Sequence, residues 1–328
     1  MLDKSINNQI FSKIGVATKM TFLKKWNFYK ETQQCRIWSE EAIRLIMKPQ
    51  LLSFLATSLF MLGFQSITAE NFTTGGFTYT TTSATTASVT AGGTGAVTIP
   101  ATVTYNGTTY TVTGVFDWAF HNKDVTSISI PDACTNIGVG AFDGTTWYNN
   151  QPNGMVYIGK VAYKYKGTMP DGTTVTIKDG TLALANYVFE GCTTLESVSI
   201  PNSVTRIGEF AFRGCTALTS ITIPSSVTTI GNSAFSGCTG LTNVVIPGSI
   251  STINSNVFFR CTGLTGVSIP GSVTTICSYA FKDCTSLNPL NVPSTVTTIG
   301  IEAFSNVPNV KYSGSATGSP WGANNITY

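Results

Sequence analysis

Five cysteines, Cys192, Cys215, Cys238, Cys261 and Cys284, stand 23 residues apart, and thiols at one repeating interval are the first groups in this chain that could do chemistry. They could cross-link, or they could bind a soft metal. The interval argues against both. Stacking would set neighbouring thiols about 5 Å apart, near enough to bond in principle. An odd ladder cannot pair fully, however, and the coil dictates where each side chain points. A column strung along an axis offers no tetrahedral ligand set, and the chain has no Cys-x-x-Cys. Free thiols acting as small buried hydrophobes are therefore expected. Cys277, standing where other repeats have a corner glycine, is the one placed to meet another thiol.

The remaining chemical groups are sparse. His121 is the only histidine, so a His-centred triad or metal site has one possible location. Its neighbours in Phe120-His-Asn-Lys-Asp124 are polar, which fits a solvated turn residue. Glu190, Glu196, Glu209, Asp283 and Glu302 do not recur at one slot, so no carboxylate pair for glycoside hydrolysis is suggested. Glycines sit at repeat spacing rather than in a phosphate or dinucleotide loop. No enzyme, cofactor or metal is expected from this set.

What must position these groups is a repeat. Pro201, Pro224, Pro247, Pro270 and Pro293 keep the same interval of 23, as do Phe212, Phe235, Phe258, Phe281 and Phe304, and Leu195, Leu218, Leu241, Leu264 and Leu287. A unit this short cannot bury its own apolar face and must stack on its neighbours. In Leu218-Thr-Ser-Ile-Thr-Ile223, Ile221 and Ile223 alternate with Ser220 and Thr222, the period of a strand with one wet face. Pro224 ends that strand for want of an N–H. Val227-Thr-Thr-Ile230 is a second short extended run, and Gly231 permits a corner. Asn232-Ser-Ala-Phe235 then makes a helical or 3₁₀ turn that drops Phe235 into the interior. The fold class is a predominantly β solenoid with parallel strands, a 23-residue period and short helical or 3₁₀ turns. Its coils are expected to share one continuous apolar interior.

The string Ile-Pro-x-x-Val-x-x-Ile-Gly-x-x-Ala-Phe-x-x-Cys-x-x-Leu, seen at Ile223-Pro224, Val227, Ile230-Gly231, Ala234-Phe235, Cys238 and Leu241, resembles the leucine-rich repeats of the BspA type. The resemblance covers nearly everything after residue 95. It implies a right-handed leucine-rich-repeat coil and an exported protein concerned with surface attachment and recognition.

The chain has 328 residues, and only 11% are charged. The formal charge of +3 belongs to the start: residues 1–46 hold eight Lys or Arg against four Asp or Glu, whereas residues 70–328 hold ten against twelve. The electrostatic argument for nucleic acid is thereby lost. Lys48 followed by the apolar run Leu51 to Phe64 and then Ile67-Thr-Ala69 reads as a secretory signal over 47–69, short for a membrane span. Residues 1–46 are a doubtful extension upstream of Met47. A capping segment is expected over 70–95, the solenoid over 96–312 with an irregular coil at about 143–180, and a C-terminal cap over 313–328 that lays Trp321 on the last coil. Asn106-Gly107 predicts a hairpin. In the irregular coil, Ile158-Gly159 and Ala162-Tyr163 stand in for Ile-Gly and Ala-Phe, with Trp147 to Gly154 bulging out.

What remains for function is surface. The outward strand positions, among them Ser197, Ser199, Ser220, Thr222, Asn243, Ser268 and Asn291, form a strip of small neutral groups. Such a strip suits broad docking of an extracellular protein or glycan, though the same residues also suit any exposed strand. Trp147 and Tyr148 of the irregular coil are further candidates, with core filling as the alternative. The lack of aromatics and arginines argues against a strong hot spot on the regular coils. Two other readings stand beside an adhesin-like module: a passive structural envelope component, and an ice- or crystal-facing ladder at Thr228-Thr229, Thr274-Thr275 and Thr297-Thr298, which Arg206 and Ser251 interrupt.

Overall fold

The computed structural model describes residues 69–316, 321–323 and 325–327. Two compact units divide the chain, Met1–Ser66 and Ile67–Tyr328, and all described residues belong to the second. The expected extension over 1–46, and the leader except Ala69, lie outside the described residues.

The second unit is a β solenoid of about 10 turns with a period of about 23 residues. It opens with antiparallel strands. Asn71–Thr74 pairs with Phe77–Thr81, which pairs with Thr86–Ala91. Thr102–Tyr105 and Thr108–Val115 form a hairpin about Asn106-Gly107, both residues at positive φ, as a type I′ turn requires. Phe72 stacks on Tyr105 with ring centroids 4.4 Å apart, which closes the apolar end of the coil.

Each regular coil then has three sides. The first carries parallel strands, such as Thr173–Thr176 beside Leu195–Ser199 and Asn243–Val245 beside Gly266–Ser268. The second carries two-residue strands in parallel register, with Ile207 opposite Ile230 and Ile253 opposite Ile276 opposite Ile299. A partner 23 residues away leaves side-chain facing unchanged from coil to coil, so every Ile of this column is turned inward.

The third side differs from expectation. It is a pair of tight turns, not a helical one, because Ser233 and Gly237 are left-handed, at φ +56° and +73°, and the same two slots recur left-handed along the chain. Coils still bond to one another here, as Phe212 N–H does to Ala234 O at 2.7 Å and Phe235 N–H to Val257 O at 3.0 Å. The turns hold the phenylalanines in a column. Phe189, Phe212, Phe235, Phe258 and Phe281 stack at 5.2–5.6 Å, Phe304 follows at 6.2 Å, and Trp321 ends the run edge-on at 6.3 Å. Phe304 N–H also donates to the Trp321 carbonyl, so the terminal segment is paired as a coil would be.

The irregular coil corrects two expectations. Ile158-Gly159 is a hairpin turn, not a corner: Gly154–Ile158 runs antiparallel to Val161–Lys166. Ala162 pairs with Leu184, which puts Val161-Ala162 on the second side rather than in the Ala-Phe slot. Tyr163 nonetheless meets Phe142 edge-on at 5.8 Å. The interior is also not continuous. One apolar cluster runs from Phe72 to Ala185 and a second from Ala162 to Trp321, and they divide at this coil. An antiparallel excursion supplies no phenylalanine at the column spacing, so the ring stack restarts at Phe189.

Candidate functional site

The strip foreseen on the first side exists as a row of open positions. Ser199, Ser220, Thr222, Asn243, Ser268 and Asn291 are exposed and Ser197 is half-buried. Register aligns them: Ser197 lies opposite Thr174, Ser199 opposite Thr176, Ser220 opposite Asn243, and Ser268 opposite Val245. Ser197 Oγ and Thr174 Oγ1 are 3.1 Å apart, one coil bonded to the next through side chains. Val245, 67% exposed, puts one apolar residue in the row. Asn291, further along the row, sits beside Lys311, the cation at that end of the strip.

Trp147 and Tyr148 are not part of that row. Both lie on the short helix Thr146–Asn149, which forms because the buried Thr145 hydroxyl accepts from Tyr148 N–H at 3.0 Å and donates to Phe142 O. Trp147 packs edge-on against Phe142 at 6.0 Å and Tyr148 against Tyr163 at 5.9 Å. Burial, with the charge of Asp143 added, pushes the Tyr148 hydroxyl up to about 12. Lys166 Nζ donates to the carbonyls of Tyr148, Asn149 and Gln151, tying the helix end to the hairpin. Both rings are half-buried and pack against the first apolar cluster.

The thiol column is buried and neutral. Cys134, Cys215, Cys238, Cys261 and Cys284 are buried free thiols, and Cys192 at the end of the ladder is half-buried and free; Cys277 is not among the free thiols. Cys215, Cys238, Cys261 and Cys284 each donate S–H to a phenylalanine carbonyl 26 residues earlier, at 3.0–3.1 Å. That bond aims each sulfur at a backbone acceptor instead of at its neighbour. Burial pushes Cys134 and Cys261 up from 9.0 to about 12 and Cys192 to about 11. Because the folded values are raised, the associated stability is complete below about pH 9 and is lost as pH rises towards 12. Two results are expected. A thiol reagent at neutral pH should react first at Cys192 among the five, the ladder's inner sulfurs reacting only on unfolding; prompt labelling of Cys238 would contradict the arrangement. Denaturant midpoints should fall with pH above about 9, and fall less when Cys261 is replaced by alanine.

His121 is exposed, with its ring edge-on to Trp118 at 4.9 Å and Nε2 2.9 Å from the Asn122 amide. Among the described residues, no group of three or more His, Cys, Asp or Glu side chains could hold a metal ion. No described helix is long and apolar enough to cross a membrane.

The turns of the third side carry what the strip lacks, and here the sequence reading fell short. Tyr187 and Phe210 stack at 4.7 Å, and Arg213 lies over Phe210 while pairing with Glu190 at 3.2 Å. Arg260 lies over Phe259 and pairs with Asp283 at 3.6 Å; Lys282 lies over Tyr279 and pairs with Glu302 at 2.5 Å. Aromatics and cations are thus present on the regular coils, on turns rather than strands. The signal was in the sequence: these residues occupy the unconserved slots around Ala-Phe, two before and one or two after the phenylalanine, where the repeat leaves residue type free.

Several solved structures are similar in sequence or fold. A leucine-rich repeat protein from Eubacterium ventriosum ATCC 27560 is 19% identical, with 77% of this chain and 97% of that one covered and a TM-score of 0.42. A leucine rich cell surface protein from Faecalibacterium prausnitzii A2-165 is 24% identical over 80% and 96%, with a TM-score of 0.29. The leucine rich repeat protein of T. pallidum is 23% identical over 73% and 91%, with a TM-score of 0.34. No curated protein matches the chain. The model of the BspA type leucine rich repeat region matches six copies, over residues 113–179 and 182–311, which is more than half of the chain. With the 23-residue period, the parallel ladders and the phenylalanine column already in place, this chain belongs to the BspA type leucine rich repeat family.

Proposed function

We propose that the chain is an exported, surface-presented interaction module that binds an extracellular protein or a glycan, adhesin-like, through the strip Ser197, Ser199, Ser220, Thr222, Asn243, Ser268 and Asn291. Its mature part would begin after Ala69, with a cap over 70–95, the solenoid over 96–312 and a second cap over 313–328. A repeat solenoid is suited to such work because its stacked coils offer a long surface of uniform geometry. The observation that carries the reading is the alignment of exposed hydroxyl and amide groups at one-coil spacing, where shallow hydrogen bonding accumulates by area.

A passive structural role is the second reading, favoured by a different observation. The exposed hydroxyls of Thr205, Thr216, Thr228, Thr242, Thr265, Thr274 and Thr297 each donate to a carbonyl 23 residues earlier. Those donors already serve the coil. A glycan and matrix-protein array with the full chain separates the two readings. Binding by at least one class, weakened about tenfold by Ser199→Lys with Ser268→Lys, is expected for the module, since a desolvated, misplaced charge costs more than the lost contact. No signal above background on any probe would leave the structural role.

A further inference from the structure

The irregular coil creates a second surface by being absent from one corner. Asn186 N–H donates to Ile137 O at 3.3 Å, so the corner that leads into Tyr187 lies directly beside the corner that leads into Gly140; the irregular coil, which separates them in sequence, enters only further along the turn, where Tyr165 N–H donates to Val188 O. Four successive turns therefore bring Trp118, Gly140, Tyr187 and Phe210 into one column. Each stands two residues before a buried phenylalanine, and each is left-handed at φ +55° to +63°. Gly140 alone has no side chain. A Cβ there would lie 2.1 Å from the Trp118 ring, so the indole lies down over the Gly140 backbone and covers the slot between its own turn and that of Tyr187. Tyr187 in turn stacks on Phe210 at 4.7 Å.

The strip so formed is open. Trp118 is 53% exposed and Phe116 beside it 43%, two of the four large apolar side chains that the described part of the chain leaves in water. Neither is needed to fill the interior.

Charge says what would cover it. Asp117, Glu190 and Glu209 all act on the Tyr187 hydroxyl and fringe the strip. Among the described residues, Glu190 forms an ion pair with Arg213. Asp117 accepts Val139 N–H at 2.8 Å, a hydrogen bond that leaves its negative charge uncancelled, while Glu209 accepts the Asn232 amide at 3.1 Å and lies in the field of Arg206. Arg206 is half-buried, its guanidinium bonded to Asn136 at 3.0 Å and Asn186 at 3.4 Å. Three carboxylates against the two guanidinium groups of Arg206 and Arg213 leave the strip net negative, and an exposed ring beside a free carboxylate, as Trp118 is beside Asp117, attracts cations through the ring quadrupole and through Coulomb attraction.

We propose that Phe116, Trp118, Tyr187 and Phe210, with the carboxylates of Asp117, Glu190 and Glu209, form a docking face for an extended, Lys- or Arg-bearing segment of another protein. Three coil spacings span about 15 Å, the reach of four to five residues of extended chain. Trp and Tyr are among the residues that dominate interface energies, and this face presents Trp118 and Tyr187. The face lies on the turns, not on the strand strip, so it stands whether or not that strip binds anything.

The test uses the full chain and three probes: a peptide of alternating Arg and Ser, a peptide of alternating Glu and Ser of equal length, and a linear β-glucan hexamer. Calorimetry should show binding of the Arg peptide alone, weakening as salt is added. Trp118→Ala and Asp117→Asn should each weaken it about tenfold, the second with the Val139 hydrogen bond kept by the isosteric amide. Ser199→Ala, on the other face, should leave it unchanged, and so separates this face from the strip. Unfolding midpoints of both turn variants, expected near that of the parent, guard against loss of fold. No binding of the Arg peptide, undiminished binding by Trp118→Ala, or Trp118-dependent binding of the hexamer in its place would overturn the proposal.

Discussion

Replacing Phe235 by alanine is expected to cost about 3–5 kcal/mol, whereas Ser220→Ala should change stability by less than about 0.5 kcal/mol. Phe235 is fully buried, with Phe212 at 5.2 Å on one side and Phe258 at 5.6 Å on the other. Truncation removes two ring contacts and leaves a hole that the column cannot close. Its neighbours are held by inter-coil bonds, Phe212 N–H to Ala234 O and Phe258 N–H to Ala280 O, which fix the spacing of the turns. Ser220 points to solvent and its backbone makes only a bridge to Asn243. Denaturant unfolding of the two variants checks this, and equal midpoints would refute the assignment of inward and outward faces.

The largest effect is expected from a deletion of the wrong length. Removing residues 225–247, one whole period, should leave a cooperative unfolding transition at a somewhat lower midpoint, because Phe212 then meets Phe258 and Ile207 meets Ile253 in the register their neighbours already use. Removing residues 225–235 should abolish cooperative unfolding of the coils beyond it. That cut takes away Phe235 and Ile230 together and delivers Thr242 to the Gly231 corner and Ile246 to the Phe235 slot of the ring column. Circular dichroism melts of both chains decide the matter. Greater damage from the whole-period deletion would contradict the repeat boundaries.

The regular coils were legible from single positions. The spacing of Phe212, Phe235 and Phe258 foretold a column, and the alternation at Ile221 and Ile223 foretold which side chains face inward, since both patterns follow from local geometry repeated without change. The free-thiol column was legible for the same reason, although the carbonyl that each S–H meets was not. The turn conformation was misjudged. Asn232-Ser-Ala-Phe235 has the composition of a helical turn, and the choice of a left-handed Ser233 follows from bonds to the next coil, such as Ser233 N–H to Ser255 O at 2.9 Å.

The irregular coil shows where reading along the chain stops. Ile158-Gly159 looks like a corner, but Val161–Lys166 folds back on Gly154–Ile158, and only pairing partners distant in sequence decide that. The candidate surface divides likewise. The strand strip follows from a period of two within each repeat, whereas the placing of Tyr187 and Phe210 on the same side as Trp118 depends on a coil being skipped at one corner.

The sequence by itself determined the period, the family, the inward face of each regular coil and the neutral, hydroxyl-rich outward face, because a repeat that must stack every 23 residues has one way to bury its apolar positions. Only the tertiary structure decided that the interior is two clusters rather than one, that Trp147 and Tyr148 pack against the first of them, and that aromatic and charged turn residues from separate coils share a face. Those outcomes rest on contacts between segments with no fixed spacing, and nothing in a period encodes them.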